Sequence, residues 1–243
     1  MLPKVSIIIP CFNSSRFVEK TIYSALLQEY ENFEVIAIDN ESTDNTYEII
    51  KKIKKEFSNL IIGTAPNIYK NSSKEPVEEA YRLLTGDFFT ILDSDDYIKN
   101  DYLKNNINYL YSTNEKKSVW QSQILGVNKD GGILSLQNHE YNSLENLKEK
   151  MLKYCAVNSP TVFYDSNLIS TGLLTERPDL YSGFCDYDKF CRLIDAGHFI
   201  HSSNKWFGHF YRWHDNQDTW SVLKNKNNYN LLIQDYWKQK WNK

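Results

Sequence analysis

Apolar positions along the first hundred residues alternate between two periods. The run "VSIIIP" (5–10) is β-branched and closed by proline, the pattern of a strand buried on both faces. Residues 13–30 then place Phe17, Ile22, Ala25, Leu26 and Tyr30 on one helical stripe, with Ser14 or Ser15 available as cap. "FEVIAID" (33–39) predicts a second buried strand. Residues 42–57 predict a second amphipathic helix, capped by Ser42 or Thr43, with Ile49, Ile50, Ile53 and Phe57 facing inward. "LIIGTA" (60–65), a short helix starting near Pro76 and stopping at Gly86, and "FFTILD" (88–93) continue the alternation. Such alternation predicts right-handed crossovers and a largely parallel sheet covered on both faces. Ligands of such sheets sit at the carboxyl ends of the strands. Asp39 and Asp93 fall at such ends, so acids distant in sequence are expected on one rim.

Beyond about residue 100 the pattern changes. Helices are predicted over 101–111, 143–155 and 186–197, the last stopped by Gly197. "VWQSQILGV", "NKDGG" and "ILSLQ" predict a hairpin with a Gly-rich loop, and "PTVFYD" a short extended segment. "HFIHSS" and "WFGHFYRW" predict two strands, and the last twenty residues a terminal helix. There is no repeat, low-complexity tract or long linker, so the second half is expected to pack on the first.

Composition narrows the function. A length of 243 residues suffices for one core with a small annex. A net charge of -3 argues against nucleic acid as the main partner, since that needs a basic face, so none is expected. The opening "MLPKVSIIIPCF" is too short for a signal-peptide core, and no run approaches the ~20 apolar residues of a membrane span. The chain is therefore expected in the cytoplasm. Cys11, Cys155, Cys185 and Cys191 lack CxxC spacing and read as reduced, mostly buried thiols. The tail mixes Tyr229, Tyr236, Trp237 and Trp241 with Lys238, Lys240 and Lys243. It suits either a terminal helix packed on the domain or peripheral contact with the inner face of a membrane.

The candidate chemistry starts at "FFTILDSDDYI" (88–98), where an apolar run meets three carboxylates in four positions. In an extended segment Asp93 and Asp95 share one face and Asp96 takes the other. Two hard oxygen ligands suit Mg²⁺ or Mn²⁺, with positions left for water or phosphate oxygens. The same DSDD is also what a solvated turn or helix cap looks like. GxGxxG and GxxxxGK[ST] are both absent, which disfavours a dehydrogenase and a P-loop enzyme. A nucleotidyltransferase would want a Gly-rich basic loop near the N-terminus, and none is visible.

Five segments in order resemble inverting nucleotide-sugar glycosyltransferases of family 2 with the GT-A fold. They are "VSIIIPCFNSSRFVEKTIYSALLQEYENFEVIAIDNESTDNT", "GDFFTILDSDD", "NSPTVFYDSNLI", "FCDYDKFCRLIDAGH" and "FYRWHDNQDTWS". The resemblance implies an α/β, Rossmann-like, mostly parallel sheet flanked by helices, with a smaller acceptor-side C-terminal part. It implies a GT-A domain over 1–221, with a nucleotide-sugar half (1–100) and an acceptor and base half (101–221), followed by a helical tail (222–243). It further implies that Asp39 contacts the nucleotide base, in a donor pocket walled by Pro10, Phe12 and Asn13. Asp93 and Ser94 would face the ribose or metal-bound water. Asp95 and His214 would hold Mn²⁺ or Mg²⁺, Arg212 would reach the diphosphate, and Asp186 would deprotonate the acceptor. The implied partners are a nucleotide-sugar donor, with UDP the commonest base, and a glycan or lipid-linked glycan acceptor. "DNQDTWS" (215–221) suits a lid that orders over donor.

Three departures stand out. Asp39-Asn40-Glu41-Ser42 replaces the usual Asp-Asp-Gly-Ser. The stretch 67–81 lacks the family's arginine, whose charge Lys70 or Lys74 would replace. Cys185-Asp186 replaces a Glu-Asp pair. The last two support the alternative of a nucleotide-sugar-binding protein with weakened turnover. From local sequence Asp186 also reads as a plain N-cap, where a helix dipole worth about 0.3–1 kcal/mol favours the ionised form.

Overall fold

The computed structural model describes residues 2–215, 217, 220 and 228–242. The first half follows the alternation: β1 (Val5–Cys11), α1 (Val18–Leu26), β2 (Phe33–Asp39), α2 (Thr46–Lys54), β3 (Leu60–Thr64), α3 (Lys74–Leu83) and β4 (Phe88–Ile91). Then come β5 (Tyr97–Ile98), α4 (Tyr102–Leu110), β6 (Val119–Asn128), β7 (Ile133–Gln137), α5 (Leu144–Met151) and β8 (Phe163–Asp165). The short α6 (Pro178–Tyr181), α7 (Cys185–Asp195), β9 (Ile200–Trp213) and α8 (Tyr229–Trp241) complete the described elements.

One sheet runs in the order β3-β2-β1-β4-β8-β6-β9-β5, with β7 beside β6. Strands β1 to β4 pair in parallel, and β6 lies parallel to β9 over ten registered positions. Antiparallel β8 joins these two groups, pairing with β4 on one edge and β6 on the other. The result is a mixed α/β sheet with helices on both faces. Consecutive residues of β1 serve opposite cores. Ile8 packs with α3, α5, α7 and α8, while Ile7 and Ile9 pack with α1, α2 and α4. That is why "VSIIIP" is apolar without interruption.

Several local expectations are corrected. Helix α1 starts at Val18 with no side-chain cap, because Ser14 contributes its carbonyl, which accepts from the Phe17 and Val18 N–H groups. Neither Ser42 nor Thr43 caps α2. The N-cap is Asn45, which makes no side-chain cap bond; Asp44, just before it, has Oδ1 accepting from Thr46 N at 2.9 Å, while Ser42 Oγ accepts from Asn13 N. The two strands expected over 198–213 are one, β9. Its polar break at Asn204 and Lys205 is absorbed as register shifts against β6 around Gln123.

Helix α7 is stopped as expected by Gly197, at φ +88°. His198 N donates to Leu193 O and Gly197 N to Ile194 O, the paired bonds of a Schellman stop. Helix α8 docks on α7 and buries Ile233 and Trp237. The Trp237 indole N–H donates to Asp188 Oδ1 at 3.1 Å, and that of Trp241 to Asp195 Oδ1 at 3.0 Å. The aromatic tail thus packs on the domain. The boundary expected at 221/222 lies outside the described residues. Among those described, no helix is long and apolar enough to cross a membrane.

Candidate active site

A cleft of about 1020 Å³ opens at the carboxyl ends of β1 and β4. Loops from both ends of the sequence build it. After β1 the chain turns sharply at Asn13, at φ +46°, in the left-handed region that asparagine enters more readily than most residues. Asn13 Oδ1 accepts from Thr43 N at 2.8 Å, which ties this loop to the one after β2. Asp44 adds a second tie through Ser15 N. Pro10, Phe12 and Asn13 line the cleft as expected, as do Lys70, Asp93, Ser94, Asp95, Asp186 and His214. Lys74 is not in the lining.

Two expected residues sit behind the wall. Asp39 ends β2 nearly buried, its Oδ2 accepting from Ser42 N at 3.0 Å. Its Oδ1 has no partner in the structure. The following residue, Asn40, lines the cleft. Arg212 is also buried, with its guanidinium 4.5 Å from the centre of the Phe17 ring and 5.1 Å from that of Tyr97. It stacks on the aromatic layer behind Phe17, and Phe17 itself lies in the cleft wall.

The acidic segment divides as the alternation argument expects, by different geometry. Strand β4 stops at Ile91, and Asp93–Asp96 form a turn closed by Asp96 N donating to Asp93 O. Asp93 and Asp95 face the cleft. Asp96 turns inward, where Oδ1 accepts from Arg212 N at 2.8 Å and Oδ2 lies 2.9 Å from His209 Nε2. Burial pushes the Asp96 carboxyl well up and the His209 imidazole down to about 4, so both favour neutral forms. The contact is therefore a hydrogen bond rather than an ion pair. Sequence reasoning missed this staple of the acidic turn to β9; its signal was the third acid of DSDD. Burial, with Asp96 and Asp95 nearby, pushes Asp93 up to about 8. A cation beside it would act in the opposite direction.

His214, just past β9, brings Nε2 to 2.9 Å from Asp95 Oδ2. Its ring packs on Phe17 at 4.6 Å. Trp220 donates to the His214 carbonyl, so the described part of the 215–221 segment folds back on it. Residues 216, 218, 219 and 221 of the expected lid lie outside the described residues. Among the described residues no three His, Cys, Asp or Glu side chains gather as a metal cage. Two adjacent ligands on an octahedral Mg²⁺, each at about 2.1 Å, stand about 3 Å apart. The Asp95–His214 pair fits that edge, with the imidazole proton moved to Nδ1.

Across the cleft, Asp186 opens α7 beside Asn158, Ser159, Glu176 and Lys189. Its Oδ1 accepts from Tyr187 N at 2.8 Å. The helix-terminus effect expected at Asp186 acts through the Tyr187 N–H, which lowers the carboxyl, but it is outweighed. Burial dominates and raises the Asp186 carboxyl, opposed chiefly by Lys189. Asp186 is thus a stronger base than a solvated N-cap. Cys185 is buried beside it, its thiol donating to Ser182 O.

The profile of Glycosyl transferase family 2 matches residues 6–155. A dolichyl N-acetyl-alpha-D-glucosaminyl phosphate 3-beta-D-2,3-diacetamido-2,3-dideoxy-beta-D-glucuronosyltransferase of Methanococcus voltae is 33% identical over 138 residues, 54% of this chain and 39% of that one. The UDP-Glc:alpha-D-GlcNAc-diphosphoundecaprenol beta-1,3-glucosyltransferase WfgD of Escherichia coli is 31% identical over 175 residues, 68% of this chain and 62% of that one. The chain thus spans less than two thirds of either relative. Among solved structures, S. aureus TarS 1-349 in complex with UDP-GlcNAc matches with a TM-score of 0.73 at 21% identity, over 92% of this chain and 62% of that one. The mannosyltransferase PcManGT of Pyrobaculum calidifontis, in complex with GDP-Man and Mn²⁺, matches with a TM-score of 0.64 at 13% identity, over 98% and 70%. At these identities the structural likeness concerns the fold, which is that of GT-A glycosyltransferases.

Proposed function

Because this chain belongs to glycosyl transferase family 2, matching its profile over residues 6–155, we propose that it moves a sugar from a nucleotide-sugar donor to an acceptor hydroxyl. The donor is a UDP-sugar, the acceptor a glycan or lipid-linked glycan, and the anomeric carbon is inverted. One observation carries the reading: Asp95 and Asp186, from separate elements, line a single cleft. Support for the substrates comes from relatives. WfgD is named for UDP-Glc and a diphosphoundecaprenol acceptor, and TarS was solved with UDP-GlcNAc.

In this reading Asp186 takes the proton of the acceptor hydroxyl as that oxygen bonds to the anomeric carbon. The bond from that carbon to the diphosphate oxygen breaks on the opposite face, so the configuration inverts. A carboxylate raised by burial is well matched to this task, worth typically 10²–10⁴-fold. Asp95 and His214 would hold Mn²⁺ or Mg²⁺, which when bound supplies electrostatic stabilisation of the departing diphosphate. Pro10, Phe12, Asn13 and Ser94 shape the donor pocket, and Asp93 faces the ribose. The unpartnered Asp39 Oδ1 is available to a base N–H once Asn40 gives way. Arg212, stacked behind Phe17, contributes field rather than contact. Leu231, Leu232 and Tyr236 are exposed on α8 and suit peripheral contact with a membrane that presents a lipid-linked acceptor.

A second reading, a donor-binding protein with weakened turnover, draws on Cys185 standing beside the base where the family's pattern has an acid. The variant Asp186→Asn separates the two. Sugar transfer is expected to fall ~10²–10⁴-fold, while UDP-sugar with Mn²⁺ still raises the melting temperature. Full transfer by that variant ends the base assignment. Donor binding without transfer by the wild type, over a panel of acceptors, favours the second reading.

A further inference from the structure

Besides Ser159, whose side chain bonds the Asp186 carboxyl, six titratable side chains bear on it. Lys189 and Cys185 come from its own helix, and Glu176 from the segment before α6. Tyr164 comes from β8, Cys155 from beyond α5, and Asp93 from the turn after β4. Of these, only Lys189 is a cation. It lines the cleft while just 4% exposed, an unusual situation for lysine unless its charge is partnered.

That partner is fixed. Lys189 Nζ lies 3.4 Å from Glu176 Oε1, and Glu176 Oε2 accepts from Ser72 Oγ at 2.9 Å. The segment carrying Glu176 is clamped to α7. The Arg192 guanidinium donates to the carbonyls of Leu173 and Thr175 and, through Nε, to Asp188 at 2.9 Å. Lys189 follows Asp186 by three positions on α7, so the two side chains leave the same helix face. Base, cation and second acid thus line one wall of the cleft in a rigid frame.

Resting on the reading of Asp186 as base, we propose that Lys189 and Glu176 are positioning residues that together set how readily Asp186 holds a proton. The ammonium stabilises the carboxylate that burial disfavours. Glu176 draws the ammonium toward itself, which keeps Lys189 from closing on Asp186 and blunting its basicity. Neither residue exchanges a bond with substrate. With Cys185 in place of an acid, the charge around the base is set chiefly by this pair.

The two residues act with opposite sign, and that is the test. The Asp186 carboxyl is titrated by ¹³C NMR in the full chain with EDTA, comparing wild type, Lys189→Met, Glu176→Gln and the double variant. Lys189→Met should move the titration to higher pH, Glu176→Gln to lower pH, and the double variant should lie between. In transfer assays the acid limb of kcat/KM should move likewise, with Lys189→Met about tenfold slower at a fixed pH on that limb. An unmoved titration, or both variants moving it the same way as general loosening would, overturns the proposal. Should Lys189→Met fail to fold, Glu176→Gln decides alone, since an unmoved or upward titration in it is equally fatal. The NMR arm needs no turnover, so it stands apart from the fate of the base assignment, which Asp186→Asn decides.

Discussion

Replacing Asp96 probes the acidic turn without touching the cleft. Asp96 is fully buried and serves two groups, the Arg212 N–H and His209 Nε2. In Asp96→Ala both lose their partner, at about 1–3 kcal/mol each, so a loss of roughly 2–6 kcal/mol is expected. In Asp96→Asn, Oδ1 still accepts from Arg212 N and Nδ2 donates to a neutral His209, so the loss near pH 6.5 should be within about 1 kcal/mol. The pH dependence is sharper. Folded wild type holds one proton in this pair, on the raised carboxyl of Asp96, with His209 held down to about 4. The unfolded pair also holds one proton between about pH 4 and 6.5, on histidine, and none above. Wild-type stability from this pair is therefore level below about pH 6.5. Above it, stability falls by about 1.4 kcal/mol per pH unit until the folded Asp96 ionises. Asp96→Asn reverses the pattern, level above about 6.5 and falling below it. Urea unfolding in EDTA from pH 5.5 to 8 measures the difference. Parallel stability curves for wild type and Asp96→Asn would refute a proton shared by this pair.

Two further variants test the frame and the cation. Trp237→Ala empties a buried site between α8 and α7 and removes a donor to Asp188, so a loss of about 3–5 kcal/mol by denaturant unfolding is expected. A loss under 1 kcal/mol would mean that α8 does not brace α7. His214→Ala should raise the Mn²⁺ needed for half-maximal transfer about 10–100-fold, the range for partners close to a metal. EDTA should abolish wild-type transfer, and unchanged activity in EDTA would remove the cation from the mechanism.

The alternation of β1 to β4 was legible because each element carries its own period, and α7 because an apolar stripe runs into Gly197. The acid pair facing the cleft was legible for the wrong local reason, since a turn happens to separate Asp96 from Asp93 and Asp95 as a strand would. What stayed hidden is non-local. The Asn204–Lys205 break in β9 reads as a turn until β6 supplies the missing partners along the whole length. Ser42 is not free to cap α2 because Asn13, 29 positions away in a different loop, engages it, and the turn before the helix is held by Asp44 instead. The protonation of Asp186 depends on burial that no window of residues reveals. Lys189 reads as an ordinary polar helix position, and only packing turns it into a buried cation near Asp186.

Strand β4 touches a parallel neighbour on one edge and an antiparallel one on the other. Pro10, Phe12 and Asn13 of the cleft follow a strand on the first side, and Asp186 follows elements beyond the second. On the proposed function, donor and acceptor would then be read by chain segments joined along one seam. Such a partition would let evolution exchange what receives the sugar while the grip on the nucleotide is inherited largely intact.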